Sequence, residues 1–366
     1  MNENLELNIK ELYENKTILK SYPIKIFLEI SQKCNLKCIM CDHENYSSEQ
    51  KDFSIELFDK IKPVLHKAEE VNFFMVGEPT LSEYLLGFLE DTKTYSFVPK
   101  IFTNGTILNE KILNAFDERG MFLNISIEAA TPKIYELIRG VSWEHFERNV
   151  IKYADRYKHR KNDRFHIRLS SSVAIDHISE VVNLVEFARK MEIRDIFIAA
   201  IDNWIVSNRH LTVDAKKAVF YFNKGRELAD KYGIRFSCPR KIGDYVIENN
   251  NNWKDFPLPV DKYTNTYSES FNPNPFTKEC GFPWIQTVIR ANGDVLACCQ
   301  GRHLMGNLNE NTFDNIWNGA KYQALRAQSN FDHCLGVGCN MIYYSVWAHQ
   351  MSKSTPPPEM FFCNKP

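Results

Sequence analysis

Cys34, Cys38 and Cys41 fall within eight residues, in the segment EISQKCNLKCIMCDH that spans 29–43. Three thiolates at CxxxCxxC spacing, on a loop leaving a strand, suit three irons of a 4Fe–4S cube, whereas cluster sites normally use four cysteines. The remaining iron then keeps an open position, as catalytic metal centres do. The competing chemistry is a closed zinc site with His43 as fourth ligand. None of the ten cysteines lies between 42 and 237, Cys238 stands alone, and Cys280, Cys298, Cys299, Cys334, Cys339 and Cys363 crowd the C-terminal region. In a reducing compartment, clustered cysteines bind metal or do redox chemistry more often than they pair. The grouping implies two separate metal-binding regions.

Elements of regular spacing have to hold these cysteines. Strand patterns cover 25–31, 71–76, 98–102, 121–127, 165–174 and 193–200. Helical periodicity follows Ser54, a suitable N-cap, through Ile55, Phe58, Ile61, Leu65 and Ala68. Further helices are expected over 109–119, ending at Gly120, and over 179–191 and 213–232. Six strand-then-helix units imply an α/β fold with a parallel sheet and right-handed crossovers, a partial (β/α)6 TIM-like barrel. The regularity breaks over 239–279, which is rich in Asn and Pro. A hairpin is then expected from 287–290 and 295–298 around the Asn-Gly pair at 292–293, with a helix over 312–328. The chain thus divides into an N-terminal extension (1–24), a core (25–237), a linker (238–279) and a small C-terminal domain (280–366). With 366 residues, 44% of them hydrophobic and a net charge of −1, it has no general pull toward nucleic acid or an anionic membrane. It lacks an uninterrupted apolar run of ~18 residues. The polar, acidic N-terminus does not read as a signal peptide, and a cytoplasmic location is expected.

Residues 25–237 resemble the radical S-adenosylmethionine (SAM) superfamily, and the cysteines are only part of the likeness. Val76, Gly77, Glu78 and Pro79 follow the second strand, where the family carries a GGEP-like motif that receives the SAM amino group; Val76 replaces its first glycine. Thr103, Asn104 and Gly105 follow the third strand, as in many members. Residues 124–140 (NISIEAATPKIYELIRG) resemble the ribose region after strand four and its trailing Arg-Gly. The resemblance implies that Ser126 and Glu128, here in place of the usual Asp, face the ribose, and that Arg139 helps fix SAM. It places Met40 near adenine, and Arg168, Ser170 and Ser172 near SAM at the fifth strand. All of these fall at C-terminal strand ends, where parallel α/β barrels carry their chemistry. SAM would chelate the open iron, and an electron would release a 5′-deoxyadenosyl radical.

The C-terminal region resembles the SPASM/twitch extension of such enzymes. Cys280 and Cys298 enclose Gly293, residues 306–317 match the usual connector, and Arg326 follows. The long cysteine run of full SPASM domains is absent, so the resemblance implies one auxiliary 4Fe–4S cluster of the twitch kind, held by Cys280, Cys298, Cys334 and Cys339. Cys363 is an alternative ligand, and Cys299, next to a ligand in a strand, points to the opposite face.

The expected activity is hydrogen abstraction from a substrate, leading to oxidation or other modification of a small molecule such as a sugar or aminocyclitol. The alternatives are a radical epimerase that uses a thiol hydrogen donor, such as Cys299, or Cys238 if it faces the barrel mouth, and a peptide-modifying maturase. The 33 residues before Cys34 are few for a peptide-recognition domain, which favours a small substrate. The electron would come from a flavodoxin or ferredoxin. The basic stretch over 152–164 is either a solvated helix end or the face on which that acidic partner docks.

Overall fold

The outward faces of the strands are apolar, while their inward faces set charged and amide side chains among Phe27, Phe102, Phe122 and Phe197, and this contrast defines the architecture. In the computed structural model, residues 3–41, 43, 50–157, 165–201, 211–239, 241–242, 245–247, 281–298 and 303–327 are described. Parallel strands β1 (Lys25–Leu28), β2 (Glu70–Phe73), β3 (Val98–Thr103), β4 (Met121–Ser126), β5 (Phe165–Val173), β6 (Asp195–Ala200) and β7 (Arg235–Ser237) pair in chain order. Ile26, Leu28, Val71, Phe73, Ile101, Leu123, Ile125, Leu169, Ile196 and Ile198 join one continuous core with the helices. The other face carries Lys25, Glu70, Asn72, Lys100, Asn124, His166, Arg168 and Asp195. Parallel strands buried on both faces are usually apolar throughout. Here one face is the helix-covered side of a partial barrel and the other is its polar lumen.

The helices after α1 (Glu3–Tyr13) are α2 (Ile55–Leu65), α3 (Leu85–Asp91), α4 (Glu110–Arg119), α5 (Pro132–Arg139), α6 (Trp143–Tyr157), α7 (Glu180–Lys190) and α8 (Ala215–Tyr232). Ser54 caps α2 by accepting from Leu57 N, and Asn109 caps α4 by accepting from Ile112 N. The segment 312–328, expected as one helix, is two: α10 (Phe313–Trp317) and α11 (Ala320–Ala327), which follow the short α9 (Phe282–Ile285). The break frees Asn318 to accept from Leu19 N and to donate to Leu19 O, both at 2.8 Å. At the next position, a Cβ on Gly319 would lie 2.6 Å from Asn315 O. Among the described residues no helix is long and apolar enough to cross a membrane.

The sheet continues beyond β1. Strand β10 (Gln286–Ile289) pairs with β1 in parallel, Lys25 opposite Gln286, and antiparallel β11 (Asp294–Leu296) and β12 (Leu304–Asn307) complete a ten-stranded sheet. Gly293 turns the β10–β11 hairpin at φ +89°, a conformation that L side chains rarely adopt. Two-residue strands β8 (Lys241–Ile242) and β9 (Tyr245–Val246) form a separate small hairpin. Fully buried Arg326 binds these parts together, donating to the carbonyls of Pro283, Thr17 and Trp317 and lying against the rings of Trp317 and Tyr322. Burial lowers its pKa to about 10.

Candidate active site

The cysteine loop leaves β1 and is fastened from three sides. Glu78 N donates to Lys33 O at 2.7 Å, which ties the loop to the end of β2. Asn35 donates to Thr106 Oγ1 at 2.8 Å and accepts from Asn104 Nδ2 at 2.9 Å, which ties it to the end of β3. Ile39 N donates to Ile138 O at 3.0 Å, and Arg139 Nη1 lies 3.6 Å from Cys38 Sγ, which ties it to the last turn of α5. Buried His43, the alternative zinc ligand, places Nε2 2.7 Å from Gln32 O.

Gly77 and Glu78 supply the fit beneath this loop. A Cβ on Gly77 would lie 2.2 Å from Ser31 O and 2.8 Å from Lys33 O, so the backbone of the loop rests on the glycine. The Glu78 carboxylate, expected to meet the SAM amino group, is buried and already accepts four hydrogen bonds. Its Oε1 takes Thr80 N, Thr80 Oγ1 and Thr103 Oγ1, and its Oε2 takes Asn104 N at 2.6 Å. Burial pushes its pKa up, and these donors work against that rise. Glu78 therefore braces the β2 end against the β3 end, and Pro79 starts the short turn that presents Thr80.

Beyond β4, Glu128 and Arg139 form a buried ion pair through Arg139 Nε. Gly140, in the left-handed conformation at φ +70°, ends α5 directly after that arginine. Ser126 stands opposite Ser170 in the β4–β5 register, half-buried, and Ser170 Oγ accepts from Asn124 Nδ2 at 2.5 Å. Met40 is half-buried on the loop between Cys38 and Cys41. The structure thus gathers Cys34, Cys38, Cys41, Met40, Gly77, Glu78, Pro79, Ser126, Glu128, Arg139 and Ser170 around the C-terminal ends of β1, β2, β4 and β5.

Two family models match the chain: the radical SAM superfamily over residues 28–167, and SPASM, an iron-sulfur cluster-binding domain, over residues 280–340. The chain carries a radical SAM domain and a SPASM domain. Among curated proteins, this radical SAM chain is 34% identical over 101 residues to the tungsten-containing aldehyde ferredoxin oxidoreductase cofactor-modifying protein of Pyrococcus furiosus, covering 27% of this chain and 28% of that protein. It is 20% identical to the antilisterial bacteriocin subtilosin biosynthesis protein AlbA of Bacillus subtilis, covering 87% of this chain and 65% of that one. The matches to the first two curated relatives span only 28% and 44% of their lengths. Among solved structures, Streptococcus suis SuiB superposes with a TM-score of 0.62 at 16% identity, over 89% of this chain and 72% of that one. Native anSMEcpe with bound AdoMet gives 0.58 at 18% identity, over 93% and 94%. These two show the shared fold.

A radical SAM domain binds a 4Fe–4S cluster and SAM, and a SPASM domain binds auxiliary iron–sulfur clusters. The residues at the mouth suit the first of these. Burial pushes the Cys34 and Cys38 thiols up, with Arg139 pulling Cys38 back. Thiolates so placed call for more positive charge than one guanidinium, and iron would supply it. Among the described residues no three His, Cys, Asp or Glu side chains are grouped closely enough to hold a metal ion. Of the four expected auxiliary ligands, only half-buried Cys298, just beyond β11, is described; Cys280, Cys334 and Cys339 lie outside the described residues, as do Cys299 and Cys363.

Cys238 does not face the mouth of this radical SAM barrel. It is buried in the main core with Phe236, on the helix-covered side of the sheet, and accepts from Arg226 Nη2 of α8 at 2.8 Å. Its parity along the chain sets this: Arg235 stands opposite Asp195 in the register, and residues 236 and 238 turn the other way. The conditional role of Cys238 as hydrogen donor is withdrawn. Cys238→Ala is expected to leave reductive SAM cleavage at the wild-type rate while lowering unfolding stability by about 1–3 kcal/mol, since buried Arg226 loses an acceptor. Cleavage and urea midpoints measured side by side check this.

Sequence reasoning missed the lumen's charged floor, although alternation along β3, β5 and β6 was there to be read. Glu70 accepts from Lys25 at 3.0 Å and from Lys100 at 2.7 Å. Asp195 accepts from Arg168 Nε at 2.7 Å, and His166 Nε2 lies 2.8 Å away. Burial would raise Asp195, but Arg168 and His166 outweigh it and hold the carboxyl at about 2. Arg168, placed near SAM by the family resemblance, sits two residues below Ser170 and is engaged in this floor.

Proposed function

We propose that this enzyme binds SAM at the Cys34, Cys38 and Cys41 loop and uses it to abstract a hydrogen atom from a polar small molecule held in the barrel lumen. The supporting observation is that one loop carries all three cysteines, is tied at once to the ends of β2 and β3 and to α5, and opens on a lumen whose wall is polar. Cys34, Cys38 and Cys41 would hold the cluster, which with bound SAM would supply reductive cleavage of the sulfonium and so the hydrogen-abstracting chemistry. The chain's own part is positional. Gly77 lets the loop lie flat on the β2 end, Glu78 fixes that end to Asn104, and Arg139 holds a positive charge beside Cys38. Ser126, Ser170 and Met40 line the space for the nucleoside. A flavodoxin or ferredoxin supplies the electron, and the SPASM-type domain, through Cys280, Cys298, Cys334 and Cys339, holds an auxiliary cluster for electron transfer or support.

A peptide substrate is the second reading, favoured by the alignment with a bacteriocin biosynthesis protein over 87% of this chain. With Cys238 in the core, the epimerase reading rests on Cys299, which lies outside the described residues. The test is anaerobic reconstitution, reduction with dithionite and quantification of 5′-deoxyadenosine. Wild type is expected to cleave SAM, and Cys34→Ala, Cys38→Ala and Cys41→Ala to lose at least a hundredfold in rate. Cleavage by Cys38→Ala at the wild-type rate rejects the assignment. Acceleration by amino sugars or cyclitols supports the small-molecule reading, and acceleration only by precursor peptides supports the second.

A further inference from the structure

Among the described residues, the floor of the lumen carries more cationic than anionic side chains. Lys25, Lys100, Arg168 and Arg235 share this face with Glu70 and Asp195, so cations outnumber anions even with His166 neutral. Lys100 Nζ stands 5.5 Å from the centroid of Phe122 and the Arg168 guanidinium carbon 4.8 Å, so both cations border one ring. Burial depresses Lys100, Glu70 opposes the fall, and Lys25 and then Arg168 add to it. Their carboxylate partners lie to the sides: Glu70 toward β1 and Asp195 toward β6. Neither cation is sealed off, since the side chains of Lys100 and Arg168 remain 22% and 23% exposed. The helices cover the opposite face, so this exposure lies on the lumen side of the sheet.

We propose that Lys100 and Arg168, astride Phe122, form a subsite for an oxyanion of the substrate, a carboxylate or a phosphate. The inference rests on the radical SAM reading of the mouth and adds the substrate's chemical class. An anion between the two cations relieves their repulsion, and the guanidinium offers N–H groups beyond the Nε that Asp195 uses. Arg168 lies two residues along β5 from Ser170, roughly 7 Å of strand rise. An anchored anionic end therefore leaves the body of a sugar-sized molecule at the level of Ser170 and Ser126, facing the mouth. Phe122 forms an apolar step between the two charges.

The test is calorimetric titration of the reconstituted, SAM-loaded enzyme with inorganic phosphate and, separately, with acetate, at constant ionic strength. Two variants keep the floor folded: Lys100→Gln retains a donor for Glu70, and Arg168→Lys retains an ion pair for buried Asp195. At least one anion is expected to bind saturably at one site per chain and to bind at least tenfold more weakly in both variants; which anion binds names the oxyanion. Absence of saturable binding by either anion, or unchanged binding in either variant, overturns the subsite. Formation of 5′-deoxyadenosine by the same wild-type preparation is read in parallel. Anion binding without SAM cleavage rejects the radical reading and keeps the subsite; cleavage without anion binding does the reverse.

Discussion

Gly77→Ala is expected to abolish SAM cleavage and leave the reconstituted chain with about half of its iron, the share of the SPASM-type domain if each site holds one cluster. The added methyl carbon would stand 2.2 Å from Ser31 O, 2.8 Å from Lys33 O and 2.9 Å from the Gln32 carbonyl carbon. All three are backbone atoms, so no side-chain rotation relieves the clash. The loop cannot back away freely either. Gln32 N donates to Lys51 O at 2.8 Å, Ser31 Oγ donates to Asp52 at 2.6 Å, and Lys33 pairs with Asp52 at 2.9 Å. Overpacking typically costs about 1–3 kcal/mol, which a chain of this size tolerates globally. The effect should concentrate in the cysteine loop. Iron analysis, circular dichroism and 5′-deoxyadenosine formation on the same sample check it. Full iron with wild-type cleavage would show that the loop does not depend on that contact.

The second large effect is expected at Arg139. Arg139→Leu should lower unfolding stability by about 3–5 kcal/mol, because Glu128 is then left buried without its cation. Joined with Glu128→Leu, the loss should shrink, since an apolar pair leaves no charge uncompensated. Arg139→Lys separates the structural role from the one at the cysteines. A lysine can keep the charge near Glu128 but cannot reach Glu128 and Cys38 with two arms at once. It should recover most of the stability and still lose iron to a chelator faster than wild type. Urea unfolding of the four variants as a double-mutant cycle, with timed iron release, measures both. Equal stability of Arg139→Leu and wild type would mean that the pair is not buried in solution.

The strands of the barrel were legible because their apolar faces alternate cleanly, and the CxxxCxxC loop was legible because the residue types fix the chemistry. Helix α1 was not read as a helix. It buries Asn4, Asn8 and Glu11, which break the apolar stripe, and their partners are remote: Lys67 O for Asn4 and Trp284 O for Asn8. Glu11 accepts from the backbone of Lys20 and Ser21, a local pairing that leaves no periodic trace. The motif marks Glu78 at the end of β2, but the four donors around its carboxylate come from two strand ends that only the fold brings together. For Cys238, the residue type suggested a radical chemistry that its parity along the chain excludes.

The pairing of β10 with β1 also constrains how the chain is made. Strand β1 leaves the ribosome well before β10, so Lys25 to Leu28 find their second neighbour only when Gln286 to Ile289 arrive. Until then the nascent barrel presents an unpaired parallel edge, flanked by Phe27, whose apolar companions Val288 and Leu296 also come late. Such edges template association with other chains, and distant pairings close slowly. Synthesis halted within 248–280 should therefore yield a sticky, aggregation-prone fragment instead of a working catalytic half. The auxiliary region is in this sense a late-arriving internal chaperone for the strand that carries the cysteine loop.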